Sequence, residues 1–65
     1  MKYSKNIYPR FAVVAAVEAF GDICKTFVTE NDGYWVVNFS DYSVEKSLLI
    51  REFGNYLIDI INLKE

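Results

Sequence analysis

The alternation of apolar and polar residues along the chain predicts five elements, in the order strand, helix, strand, strand, helix. Near the N-terminus, Tyr3, Lys5 and Ile7 would share one side of an extended segment, with polar residues between them on the other. This spacing predicts a short strand over about residues 2–7, which suits the edge of a sheet.

Residues 9–20 follow the period of an α-helix. Pro9 is favoured at the first helical position, and Gly21 ends the helix, since glycine is common just beyond a helix end. One side of this helix is a core stripe made of Ala12, Val13, Ala16, Val17 and Phe20.

The other side of the same helix is also apolar, with Glu18 as its only charged residue. It carries Phe11, Val14 and Ala15, and alanine is small enough to let another backbone approach. Phe11 and Val14 therefore either line a groove between the two helices or mark an interface, and the sequence leaves both interpretations open.

Residues 23–40 predict a β-hairpin. They contain two runs rich in β-branched and aromatic residues, and Asp32-Gly33 between them favours the positive φ angles of a tight turn. In the second run two sets of residues alternate between the faces of the sheet, namely Trp35, Val37 and Phe39 on one side and Tyr34, Val36 and Asn38 on the other.

Residues 43–63 predict a second helix, which Asp41 or Ser43 would cap. Gly54 lies beside the apolar stripe and costs about 1 kcal/mol relative to alanine. Close packing against the first helix near Ala15 is the simplest explanation for it. The stripe consists of Leu49, Ile50, Phe53, Tyr56, Leu57, Ile60 and Ile61.

These elements predict an α+β fold with the order β-α-β-β-α. A right-handed crossover leaves room for the third strand between the first two, so the sheet order is 1-3-2 with both helices on one face. This is a ferredoxin-like arrangement without its last strand, in a single domain over residues 1–65. It leaves the edge of strand one open and one sheet face uncovered. The candidate interface residues are Tyr3, Lys5, Ile7, Phe11, Val14, Tyr34, Val36 and Asn38.

Length and cysteine content favour an oligomer. A chain of 65 residues buries only roughly 60% of its unfolded surface, so its stability is marginal without additional support. One cysteine excludes an internal disulfide, and the absence of histidine argues against a zinc site. Self-association or a tightly bound partner is the remaining support, and we expect a homo-oligomer.

Charge and hydropathy argue against nucleic-acid and membrane partners. Seven basic and nine acidic residues give a net charge of −2, without a basic cluster that could neutralise phosphates. The apolar run near the N-terminus spans about ten residues, whereas a bilayer requires roughly twenty. Pro9, Arg10 and Glu18 oppose its interpretation as a signal peptide. We therefore expect a cytoplasmic protein.

The chain offers few residues for catalysis. Cys24 has no histidine to activate it, and no glycine-rich phosphate loop is present. Glu52, Asn55 and Asp59 would share one helix face, where carboxylates do acid–base work only if burial separates their pKa values. On a solvated face they do not, so we expect no enzyme and no cofactor.

Several short motifs together resemble the HxsD family, from about Ile7 to Leu63. They are Tyr8-Pro9, Ala15-Ala16 with Phe20, Asp32-Gly33 with Trp35-Val36-Val37, and the segment EFGNYLID over residues 52–59. The resemblance implies a small non-enzymatic accessory protein of a His-Xaa-Ser peptide-maturation system. It also implies a precursor peptide with such repeats and radical SAM maturases as associated proteins.

Two functions follow from these observations. The first is an adaptor that binds a peptide or protein partner, with strand addition at the open edge as one possible mode. The alternative is a structural homodimer or small subunit without a ligand, which the small size and the uncovered apolar surface also favour.

Overall fold

The computed structural model describes residues 1–63 of the chain. The strands pair in the order β1-β3-β2, and both pairings are antiparallel. The predicted α+β fold and its sheet order are therefore confirmed. The elements are β1 (Lys2–Ser4), α1 (Arg10–Ala19), β2 (Lys25–Asn31), β3 (Tyr34–Ser40) and α2 (Lys46–Leu63).

The core lies between the two helices and one face of the sheet, and Phe53 of α2 is at its centre. Phe53 is fully buried, and the ring centroids of Phe39, Phe20 and Tyr3 lie 5.1, 5.3 and 6.1 Å from its own. These contacts join both helices to β1 and β3. The buried apolar residues are Ala12, Val13, Ala16, Phe20, Cys24, Trp35, Val37, Leu49, Phe53 and Leu57.

The first strand is shorter than the expected residues 2–7, because the chain turns back directly after Ser4. The Ser4 carbonyl accepts hydrogen bonds from the N–H groups of Ile7 and Tyr8, at 3.1 and 2.8 Å. The Lys5 N–H still donates to the Gly33 carbonyl at 2.9 Å, at the tip of the hairpin. Residues 5–7 therefore form a turn that carries the chain from the sheet to α1.

The hairpin turn has the backbone geometry that the sequence predicts. Asp32 has a φ of 44° and Gly33 a φ of 86°, so the two central residues both have the positive φ that a tight two-residue turn requires. The register pairs Asn31 with Tyr34 next to the turn and Lys25 with Ser40 at the far end.

The ends of the helices differ from the expectations. Pro9, with φ −72° and ψ 159°, is the N-cap of α1 rather than its first helical residue, and α1 ends before Phe20. The predicted caps of α2 act elsewhere: the Ser43 hydroxyl donates to the Ile23 carbonyl at 3.4 Å, and Asp41 pairs with Lys25 at 3.4 Å. The loop before α2 is therefore tied to the start of β2, and α2 begins at Lys46.

The expected contact of Gly54 with the first helix is wrong. A Cβ placed on Gly54 would lie 3.9 Å from the Tyr3 hydroxyl, and no atom of α1 lies within 4 Å of it. Gly54 instead faces Tyr3 of β1, whose ring also lies near that of Phe53, the residue before Gly54.

Candidate functional site

The face of the sheet that the helices do not cover is partly apolar, and we call it the outer face. Tyr34, Val36 and Asn38 of β3 lie on it, and the register places Phe27 opposite Asn38 and Thr29 opposite Val36. Phe27 is 56% exposed and Tyr34 is 44% exposed. A phenylalanine and a tyrosine thus stand in solvent beside a half-buried valine.

A second candidate site is a groove between α1 and β2, on the helix side of the sheet, which we call the α1–β2 groove. It has a volume of about 360 Å³, which is within the range of small-ligand pockets. Four valines form most of its apolar lining. The complete lining is Arg10, Val13, Val14, Val17, Glu18, Thr26, Val28, Thr29, Glu30 and Trp35.

The two ends of this groove carry opposite charges. At one end Glu30 pairs with both Lys5, Nζ to Oε2 3.2 Å, and Arg10, Nη2 to Oε1 2.9 Å. Two cations and one carboxylate leave this end positive. At the other end Glu18 is exposed and has no ion pair among residues 1–63, so that end is negative.

Trp35 forms the floor of the positive end. Its indole Nε1–H donates to the Tyr8 carbonyl at 2.7 Å. The Lys5 Nζ and the Arg10 Cζ lie 4.8 and 5.3 Å from the centre of its ring, within the range of cation–π attraction. The tryptophan therefore contacts the segment just before α1 and both cations, and it keeps them close to the sheet.

The two edges of the sheet differ in length. β1 has three residues, whereas β2 has seven and, within residues 1–63, pairs with β3 on one side only. Along the opposite side of β2 the backbone N–H and C=O groups are open to another strand. The sequence indicates only the edge of β1 as open, because the missing fourth strand of the ferredoxin-like arrangement would lie there.

The predicted interface residues fall into separate places. Tyr34, Val36 and Asn38 lie together on the outer face. Tyr3 points to the helix side, where its ring centroid lies 5.1 Å from that of Tyr8. Burial raises the pKa of the Tyr3 phenol above its usual value, and the nearby Tyr8 phenol raises it further.

The other four interface candidates lie outside the outer face. Lys5 is at the positive end of the α1–β2 groove and Val14 lines its wall. Ile7 is exposed in the turn after β1, and Phe11 is exposed on α1. The structure therefore divides the predicted interface into an outer-face group and a group along α1.

Glu18, Glu30 and Trp35 were not among the predicted site residues. Glu30 meets Lys5 and Arg10 across 25 and 20 positions of sequence, and no local pattern indicates such a contact. The unpaired charge of Glu18 on an otherwise apolar helix side was the one signal in the sequence that pointed to this site.

The residues with potential chemistry are either buried or exposed to solvent. The Cys24 thiol is buried, with its Sγ 3.6 Å from the Phe20 carbonyl. Glu52, Asn55 and Asp59 are all exposed on α2, so burial does not separate the two carboxylates. Within residues 1–63, no group of histidine, cysteine or carboxylate side chains could hold a metal ion. No helix in this part of the chain has the length and apolar character needed to cross a bilayer.

Comparison with known proteins places the chain in a family. Neither the curated proteins nor the solved structures gave a match. The family model described as "His-Xaa-Ser system protein HxsD" matches residues 3–61, which is nearly the whole chain. The match begins within β1, ends within α2 and includes both candidate sites. The chain therefore belongs to the HxsD family.

Proposed function

We propose that this chain is a non-enzymatic accessory protein of the His-Xaa-Ser system that binds a peptide or protein partner on its outer face. Family membership supports the assignment to this system. The proposal of a binding role is based on the exposed aromatic residues of the outer face. The solvated positions of Glu52 and Asp59 support a role without catalysis.

The composition of the outer face is typical of an interface. Phe27, Tyr34 and Val36 form an apolar centre, and Lys2 and Asn38 lie at its margin. Interfaces commonly have such an apolar centre within a polar rim, and tyrosine is enriched among the residues that contribute most to affinity. Exposed aromatic residues grouped on one surface often mark an interaction site.

The partner that fits best is a precursor peptide containing His-Xaa-Ser repeats, with a radical SAM maturase as the second candidate. Both come from the family resemblance. One extended segment of such a peptide can add a strand beside Lys2–Ser4, which within residues 1–63 pairs with β3 on one side only, and a neighbouring segment can lie across the outer face. Strand addition gains main-chain hydrogen bonds whatever the peptide sequence, and side chains of the outer face supply specificity.

The test is a titration of the ¹⁵N-labelled chain with a precursor peptide that includes its leader and its His-Xaa-Ser repeats. We expect the amide shifts to concentrate in β1, β3 and Phe27. Tyr34→Ser should weaken binding by about fivefold or more, the effect of losing an aromatic anchor worth at least about 1 kcal/mol. Tyr42→Ser is the matched control, because Tyr42 is 40% exposed, close to the 44% of Tyr34, but lies in the loop after β3.

Equal effects of the two tyrosine substitutions would contradict binding on the outer face. Shifts scattered over the molecule, or confined to α2, would contradict it as well. Absence of binding to the peptide should be followed by the same titration with the maturase. If neither binds, the accessory role by direct contact is wrong.

The alternative function is a structural homodimer or small subunit that binds no ligand. The observation that favours it is the α1–β2 groove with the open edge of β2, since a small domain gains stability by covering such a surface. Sedimentation separates the two functions, because a stable monomer that unfolds cooperatively contradicts the structural homodimer. A dimer that also binds the peptide is compatible with the first proposal.

A further inference from the structure

We propose that a second copy of this chain docks along β2, so that the two β2 strands pair antiparallel about a two-fold axis at Val28. The two three-stranded sheets then form one continuous sheet. In this dimer the two α1 helices, one from each copy, cover the two α1–β2 grooves. The proposal does not depend on the outer face or on any peptide partner.

The first argument comes from the matching lengths of α1 and β2. Arg10 at the start of α1 contacts Glu30 near the end of β2, so the helix and the strand run in opposite directions along the groove. Arg10 and Glu18 are eight helical residues apart, or about 12 Å at 1.5 Å per residue. Four residues of β2 cover a similar distance, about 13 Å. The midpoint of the groove therefore lies near Val14 on the helix and Val28 on the strand.

The second argument is charge complementarity. A two-fold axis at this midpoint reverses the groove of the second copy, so each positive end meets a negative end. Arg10 then faces the partner's Glu18, and Glu18 faces the partner's Arg10. Glu30 is already paired through its Oε2 with Lys5 at 3.2 Å, so Arg10 can bridge Glu30 and the partner's Glu18.

The third argument is the register of the two strands. An axis at Val28 places Val28 opposite the partner's Val28 and Phe27 opposite the partner's Thr29. Thr26 then faces the partner's Glu30 and Lys25 faces the partner's Asn31. No pair brings like charges together, and opposite residues remain on the same side of the sheet, so all four helices cover one face.

A second copy fits this surface better than an unrelated segment does. The reversed groove of the second copy is complementary to the first along its whole length. The valines at the two centres contact each other, and each charged end faces the opposite charge. Val14, which is 48% exposed in the single chain, becomes buried at the axis. The same pairing covers the seven-residue open edge of β2, which would otherwise favour aggregation.

The experiment is sedimentation velocity over a range of concentrations, with the full chain and two charge-reversal variants. The wild-type chain should form a dimer whose dissociation constant rises with ionic strength. Glu18→Arg places two arginines together at both ends of the interface and should raise that constant by about tenfold or more. Asp59→Arg makes the same charge change at an exposed helical position outside the interface and should leave it within about twofold.

Cross-linking locates the interface even if a charge variant folds poorly. Residues directly opposite in antiparallel strands have Cβ atoms about 4.5–5.5 Å apart, close to the separation in a disulfide. Val28→Cys should therefore give a disulfide-linked dimer under mild oxidation. Val44→Cys, an exposed valine before α2, is the control that should remain monomeric under denaturing, non-reducing conditions.

Several outcomes would overturn the proposal. One is a wild-type chain that sediments as a monomer at its highest soluble concentration. In that case, shifts at Val14, Val17 and Val28 on adding the His-Xaa-Ser peptide would show that a peptide occupies the groove instead. Another is a dimer that resists Glu18→Arg but dissociates on Tyr34→Glu, because Tyr34 lies on the outer face of β3, away from the edge of β2.

Discussion

Tyr3 connects β1 to α2 through both its ring and its hydroxyl. The ring centroid lies 6.1 Å from that of Phe53, and the hydroxyl donates to the Met1 sulfur at 3.7 Å. Burial is the main reason that the pKa of this phenol is raised above its usual value of 10.0, and the Tyr8 phenol adds to it. The folded chain therefore disfavours the phenolate more than the unfolded chain does.

This shift predicts a loss of stability in alkaline solution. The contribution of Tyr3 is fully present below pH 10.0, the usual pKa of a tyrosine. It declines as the pH rises through the raised folded pKa, because the unfolded chain releases its proton first. Urea unfolding at pH 8 to 11 should therefore show a steeper decrease in the free energy of unfolding for the wild type than for Tyr3→Phe.

Tyr42→Phe is the control for this pH dependence, since it also removes one phenol but from an exposed position. It should retain the wild-type decrease between pH 8 and 11. Equal slopes for wild type and Tyr3→Phe would show that the surroundings of Tyr3 do not penalise its ionisation.

At the level of elements, α2 contains a glycine that its packing does not require. Gly54 lies in the middle of the helix, and an added Cβ would lie 3.9 Å from the Tyr3 hydroxyl, an ordinary van der Waals distance. Glycine also loses more backbone freedom on folding than alanine does. Replacing Gly54 by alanine should therefore stabilise the helix.

Gly54→Ala should raise the free energy of unfolding by about 1 kcal/mol, measured by urea unfolding. The control is the same substitution at Gly33, where a φ of 86° disfavours any residue with a Cβ. Gly33→Ala should lower stability by at least about 0.5 kcal/mol. A destabilising Gly54→Ala would mean that Tyr3 cannot accept the added methyl group.

At the scale of the whole molecule, 65 residues support only a small core. Its fully buried large side chains are Phe53, Leu49, Leu57 and Val37. A domain of this size buries a smaller share of its unfolded surface than a larger domain does, so covering the edge of β2 would add substantially to its stability. The proposed dimer would therefore be visible in thermal unfolding as well as in sedimentation.

The unfolding temperature of the wild-type chain should rise with protein concentration, because dimerisation stabilises the folded state by mass action. For a domain of this size, we expect about 3–5 °C for each tenfold increase, followed by circular dichroism. Glu18→Arg should make the unfolding temperature nearly independent of concentration. A wild-type transition that does not move with concentration would contradict the dimer.

The elements were predictable because their signals are local. The DG turn, the alternation in β3 and the helical stripe of α2 each lie within a few neighbouring residues. The end of β1 at Ser4 was not predictable in this way. Alternation alone continued the strand to Ile7, whereas the Ser4 carbonyl accepts hydrogen bonds from the N–H groups of Ile7 and Tyr8 and folds residues 5–7 into a turn.

The candidate sites were only partly predictable for the same reason. Alternation correctly placed Tyr34, Val36 and Asn38 on one face of β3, but it could not say that Tyr3 faces the opposite side. The side that Tyr3 takes follows from its pairing with Trp35, a residue 32 positions away.

The sequence by itself determined the order of the elements and the hairpin, because periodicity and turn residues act over short distances. The right-handedness of crossover connections then gave the order of the strands in the sheet. Only the tertiary structure decided that α1 and β2 enclose a groove with Arg10 and Glu30 at one end and Glu18 at the other. These residues come from separate elements, and their charges become one surface only when the crossover brings α1 beside β2. From the apolar, singly charged side of the first helix, Val14 and Glu18 thus line that groove, together with Val13 and Val17 of the core stripe.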